Sequence, residues 1–208
     1  MKYNNILEYI FSAPSNVSVL RVLNERNIGI SGREVARLTN LSLRTVQVSL
    51  FNLEKTGIVK RYTGKREHQF VLDRKKFLTK NLIYHLFNVE KEFNKSILNF
   101  IKKALHKDVE SIILFGSTVL VTDTIDSDLD VCFVYSGSLK KIQDKISILR
   151  TDLAKMYQIT LAPFYLTTSR FKYLGLKDKP PVKDILKYGK IISGKNFNSL
   201  LYGKKNNG

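Results

Sequence analysis

The chain nearly lacks cysteine: Cys132 is the only one among 208 residues. An internal disulfide is therefore impossible, and a reducing compartment is expected. Histidine is equally sparse. His68, His85 and His106 lie far apart, without zinc-finger spacing. No segment reaches the roughly 18 apolar residues that a membrane span needs. The apolar patch Ile6 to Phe11 contains Glu8 and follows no cationic run, so it does not read as a secretory leader. A cytoplasmic protein with no membrane partner is the expectation. Acidic residues are also scarce, 18 against 35 Lys and Arg, which leaves a net charge of +17. The excess is spread along the chain. It says little about fold but favours an anionic partner, nucleic acid or nucleotide.

What is present centres on Ser111 to Tyr135, SIILFGSTVLVTDTIDSDLDVCFVY. The apolar run Ile112 to Phe115 ends in Gly116-Ser117. Asp128 and Asp130 follow some ten residues later, then a second apolar run to Tyr135. This reads as strand, turn, loop and a second strand headed by two carboxylates. Strand side chains alternate, so Asp128 and Asp130 are expected on one face. Two adjacent carboxylates repel unless a cation lies between them. Mg2+ takes such oxygen ligands and completes its shell with water or phosphate oxygens. Gly116 permits close approach of the backbone to a phosphate. Ser117 adds a hydroxyl and can open a helix. Together these predict a site for a metal-bearing nucleoside triphosphate (NTP).

Gly-Ser, a spacer of about ten, then Asp-hydrophobic-Asp resembles the DNA polymerase beta-like nucleotidyltransferase superfamily, in particular its minimal branch. The resemblance extends over about residues 90–200 and includes the ending LKYGKIISGK. It implies that Asp128 and Asp130 hold Mg2+ and are catalytic, and that Gly116 and Ser117 grip the NTP. The acceptor would be a hydroxyl of a protein, a small molecule or a nucleic-acid end. Two departures stand out. The neighbouring strand, ITLAPFYLT, has Thr160 and Ala162 where the family usually has a third acid, and the nearest acid is Asp152 on the preceding helix. Thr118-Val119-Leu120-Val121 replaces the usual small residue, Arg and Gly, so a phosphate-facing cation is missing. Asp123 and Asp126 read as solvated loop residues, and Cys132 as a small buried thiol.

Residues 1–75 carry a different pattern. Leu7, Ile10 and Phe11 have helical spacing, and Pro14 breaks the run. A second helical pattern contains Val17, Leu20, Val22 and Leu23. Ser31-Gly32-Arg33-Glu34 is a capping box that opens a third helix. Ser42 can cap a fourth, which places Leu43, Val46, Leu50 and Leu53 on one side and ends at Gly57. Ile58 to Tyr62 and Gln69 to Leu72 read as strands of a hairpin with a basic tip. The stretch SGREVARLTNLSLRTVQVSLFNLEKTGIVKRYTGKREHQFVL resembles winged helix-turn-helix transcription regulators. That resemblance implies double-stranded DNA as a partner. Arg44, Thr45, Gln47, Val48 and Ser49 would be exposed on the recognition helix, with Arg44, Thr45 and Gln47 as base-edge candidates. Lys60, Arg61, Lys65 and Arg66 would meet phosphates.

Arg74 to Lys107 contains no Gly or Pro, and its apolar residues recur in steps of three and four. One helix, or two in line, is predicted over 76–107, with a stripe available to a second copy in a homodimer. Beyond the Asp pair, Leu139 to Leu153 reads as a helix and Ile159 to Leu166 as a strand. Pro163 makes that strand an edge or a bulged one. Pro180-Pro181 starts a further helix that Gly189 can end. The predicted fold class is α+β: a winged helix-turn-helix (1–75), a linking helix (76–107), a nucleotidyltransferase-like mixed sheet with flanking helices (108–203) and a tail (204–208). The predicted function is a DNA-binding protein whose second domain transfers a nucleotidyl group with Mg2+. The alternative is a winged-helix regulator whose second domain is non-catalytic and senses nucleotide or contacts protein.

Overall fold

The computed structural model describes residues 4–64 and 67–203. Lys65 and Arg66, predicted at the hairpin tip, and the tail 204–208 lie outside the described residues. The chain forms two compact units that divide between Glu92 and Phe93.

The first unit begins with helices α1 (Ile6–Ile10), α2 (Pro14–Asn24), α3 (Gly32–Thr39) and α4 (Leu43–Lys55). Pro14 is the first residue of α2, where its missing N–H costs nothing, so the predicted break is a start. Ser31 Oγ accepts a hydrogen bond from the Glu34 N–H at 3.3 Å. Only half of the capping box forms, because the Glu34 carboxylate turns instead to Arg37 at 2.7 Å. Ser42 caps α4 by accepting from the Thr45 N–H at 3.1 Å. Gly57 ends that helix with φ +75, a conformation few other residues adopt. Strands β2 (Val59–Thr63) and β3 (His68–Leu72) form an antiparallel hairpin. A two-residue strand, β1 (Ile30–Ser31), joins its other edge. Leu20, Leu23, Val35, Val46, Leu50, Leu53 and Ile58 fill the core. Each such side chain contributes about 1.5–3 kcal/mol by leaving water. Three packed helices, a tight turn and a hairpin make a winged helix-turn-helix.

A π-helical turn, Thr79–Ile83, leads into α5 (Tyr84–Leu105). The division between units falls within this helix. Ile83 and Phe87 belong to the first core. Ile97, Ile101 and Leu105 belong to the second.

The second unit is built on β4 (Ser111–Leu114), β5 (Leu129–Tyr135), β6 (Leu161–Thr167) and β7 (Lys190–Gly194), in the order β6-β5-β4-β7. β5 and β6 are parallel, and the other pairs are antiparallel. The predicted mixed sheet is therefore present. β6 lies at its edge, which accommodates Pro163. The helices are α6 (Ser117–Leu120), α7 (Leu139–Tyr157), α8 (Thr168–Leu176), α9 (Val182–Tyr188) and α10 (Phe197–Tyr202). β5 is buried on both faces. Leu129, Val131, Phe133 and Tyr135 pack with α5 and α7, while Cys132 and Val134 pack with α8, α9 and α10. Two-sided burial explains an unbroken apolar run where a half-exposed strand would alternate. Among the described residues, no helix is long and apolar enough to cross a membrane.

Candidate active site and nucleic-acid interface

Gly116 closes β4 with φ +72 and ψ −153. A side chain here would be strained, and a Cβ would fall on the Asp130 carboxylate. The glycine turn and the second carboxylate are thus packed against each other. The Phe115 N–H donates to the Asp130 carbonyl at 3.1 Å and fixes this register. Ser117 opens α6, a single turn, as expected.

Asp128 is exposed just before β5, and Asp130 is half-buried in its second position. Burial, and after it the neighbouring Asp128 carboxylate, hold the Asp130 carboxyl above its ordinary range. The two acids are therefore near enough to repel. Among the described residues neither makes an ion pair. This is a donor set that suits one hard divalent cation whose remaining positions are filled by water or phosphate oxygens. Among the described residues no third metal-ligating side chain joins them. The reason lies in the sheet. β6 runs beside β5, and Ala162 stands opposite Asp130. Ala162 thus occupies the place beside Asp130 where the resemblance leads one to look for a third acid.

Asp128 lines a cleft of about 650 Å3. Its walls include Phe93, Leu98 and Ile159, and its rim carries Thr118, Asp123 and Lys190. Lys190 is a residue that the sequence reading missed. It opens β7 opposite Leu114, two residues before Gly116, and makes no ion pair among the described residues. Lys145, Lys183 and Lys195 are each bound to a carboxylate at 2.6 Å. The signal for Lys190 was its place between Gly189 and the apolar Ile191-Ile192, but only the β4–β7 pairing puts it here. Asp126 is exposed, as expected. Val121, between the turn and the acids, has φ +57. A β-branched residue in that region costs on the order of 1–2 kcal/mol. Cys132 is fully buried, and burial pushes its thiol up to about 12.

In the first unit the outer face of α4 carries Arg44, Gln47 and Val48, as predicted. Ser49 does not belong to it. Ser49 is 1% exposed and donates to Ser15 Oγ at 2.8 Å, because positions 46, 49, 50 and 53 form the inner face. Thr45 is half-buried and its hydroxyl lies 2.8 Å from that of Ser42. Phe51 and Lys55 complete the outer face, and the Lys55 ammonium lies 4.1 Å from the Phe51 ring. Lys60 and Arg61 project from opposite faces of the hairpin. Lys60 pairs with Asp73 at 2.9 Å, and Arg61 with Glu54 of α4 at 3.2 Å. The Lys60 ammonium, with help from the Lys75 N–H, holds the nearly buried Asp73 below the usual carboxylate range. Lys60 is therefore engaged in holding the hairpin, whereas Arg61 is on the recognition-helix side.

Residues 95–192 match the family model described as "Nucleotidyltransferase domain". No curated protein matches the chain. Similar solved structures include the transcriptional repressor BigR from Xylella fastidiosa, at 20% identity and TM-score 0.35, covering 41% of this chain and 82% of that one. A toxin-antitoxin solved with AMP-PNP is 20% identical, with TM-score 0.36, over 51% of this chain and 80% of that one. A MarR family transcription regulator is 15% identical, with TM-score 0.36, over 73% and 79%. Likenesses this distant leave the fold resting on the chain's own elements.

Proposed function

We propose, from a nucleotidyltransferase domain at residues 95–192 in a chain that also carries a winged helix, that this is a cytoplasmic DNA-binding nucleotidyltransferase. The observation that carries the catalytic half is Gly116 packed against the Asp130 carboxylate, with Asp128 alongside. In this reading Asp128 and Asp130 hold Mg2+. The metal, when bound, offsets the charge that develops on the phosphate oxygens. Gly116 and the Ser117 hydroxyl position the NTP. Lys190, which lines the same cleft as Asp128, is the proposed source of positive charge on that side. The acceptor hydroxyl, on a protein, a small molecule or a nucleic-acid end, attacks the α-phosphorus. A new P–O bond forms, the bond to the bridging oxygen breaks, pyrophosphate leaves, and the hydroxyl proton passes to solvent.

DNA is the partner proposed for the first unit, on the winged-helix fold and the exposed cations of α4 and the hairpin. Residues 1–75 are the proposed DNA-binding domain, 76–107 the connection and 108–203 the catalytic domain. A homodimer is also proposed, because Phe77, Tyr84 and Val89 expose large apolar surface around the start of α5. Its test is the solution mass, with Val89→Asp expected to give the monomer.

A second reading has its own observation. Ala162 opposite Asp130 weakens any two-metal arrangement and favours a domain that binds nucleotide without transferring it. Labelled NTPs with Mg2+ separate the two. Transfer that disappears in the Asp128→Ala, Asp130→Ala double variant supports the enzyme. Nucleotide retention without transfer to any acceptor supports the sensor.

A further inference from the structure

The outer face of α4 is not uniformly polar. At 100° per residue, Arg44, Gln47, Val48, Phe51 and Lys55 fall within one arc of about 100°. Val48 is 55% exposed and Phe51 is 54% exposed. Each buries only part of its apolar surface, although Val46, Leu50 and Leu53 on the same helix are almost fully buried. Phe51 also borders a cleft of about 760 Å3 between α4 and the hairpin, together with Gln47, Arg61, His68 and Phe70. Arg44 and Lys55 bracket the apolar pair, while across the cleft Arg61 is paired with Glu54 and Glu67 also lines the wall. Large apolar groups framed by cations do not suit a merely solvated face. They suit an anionic partner that presents apolar groups at its surface.

Duplex DNA does so in one place. The major groove displays the thymine 5-methyl group, and an aliphatic or phenyl side chain is its natural contact. Arg44 and Phe51 are seven residues apart, or about 10 Å along a helix. The helix itself, about 10–12 Å across with its side chains, fits a major groove about 12 Å wide. Gln47 lies between them and can meet the N6 and N7 edge of an adenine, the partner of such a thymine.

We propose that Val48 and Phe51 form a thymine-methyl reader on the recognition helix, so that this protein selects duplexes presenting T·A pairs at its centre. The inference rests on the DNA-binding reading above. Arg44 holds a phosphate or a guanine edge, and the apolar pair supplies the sequence preference.

The test begins with duplexes selected by the full chain from a random pool. The selected duplex is then resynthesised with deoxyuridine for thymidine, which removes only the methyl groups. The expected result is several-fold weaker binding, localised to one or two positions. Phe51→Ala and Val48→Ala should bind the thymidine duplex more weakly and should no longer distinguish it from the deoxyuridine duplex. Both side chains are more than half exposed, so the fold survives, and an unchanged circular dichroism spectrum checks this. Equal binding of the two duplexes by the parent protein overturns the reader while leaving DNA binding intact. Failure to retain any duplex overturns both. Sensitivity to methyl removal that persists in both variants assigns the reading to other side chains and also overturns it.

Discussion

The two units carry their chemistry in opposite ways. In the first, the candidate contacts stand on the outer face of α4, with solvent on one side and the core on the other. In the second, the carboxylates sit at the head of β5, a strand enclosed on both faces. An outward helix face can change residue by residue at little cost to the core. A residue at the head of an enclosed strand is tied to its neighbours, as Gly116 is tied to Asp130. The proposed recognition is therefore separable from folding in the first unit, and the proposed catalysis far less so in the second.

The sharpest way to break this contrast is the Asp128→Ala, Asp130→Ala double variant. Losing both carboxylates should remove several kcal/mol of transition-state stabilisation, a rate loss above about 1,000-fold, with DNA retention unchanged. Labelled-nucleotide transfer and filter retention read the two halves separately. Phe133→Ala probes the enclosed strand itself. Phe133 is fully buried on β5, so the second unit should lose about 3–5 kcal/mol in a denaturant titration. On the outward helix face the expectation is smaller. Arg44→Ala should weaken duplex binding by about 1–3 kcal/mol while leaving the melting temperature in place. Lys190→Ala should weaken nucleotide binding by about 1.5 kcal/mol, roughly tenfold, with Lys190→Arg retaining most of it.

The smallest effect concerns the hairpin. Asp73 is held below the usual carboxylate range by Lys60, so its contribution is present above the unfolded value of about pH 4. It is lost as the pH falls from there through the folded value. Asp73→Asn should therefore lower the melting temperature at neutral pH, and the gap from the parent should close in acid.

Much of this was legible in the sequence, for local reasons. Ser31, Ser42 and Gly57 signal helix ends through interactions spanning a few residues, and each does so here. The Gly-Ser turn and the Asp pair were legible because a strand and its turn are local. Ser49 was misassigned because a small polar residue reads as exposed, while its hydroxyl is bound by Ser15, 34 residues away. Glu34 was given a backbone partner, whereas Arg37 one turn on outcompetes it. The strand β1 is two residues long and exists only because β3 pairs with it, and no period can be read from two residues. Lys190 was missed because β4 and β7 are distant in sequence and meet only in the sheet.

Ala162 has a further consequence. It is partly exposed, lies on the outermost strand and faces Asp130 across a parallel pair. The Ala162→Asp protein would thus bring a third acid beside the first two at little cost to the core. The sheet thus keeps, next to Asp130 on its outermost strand, a place that a third carboxylate could occupy without disturbing the enclosed strand.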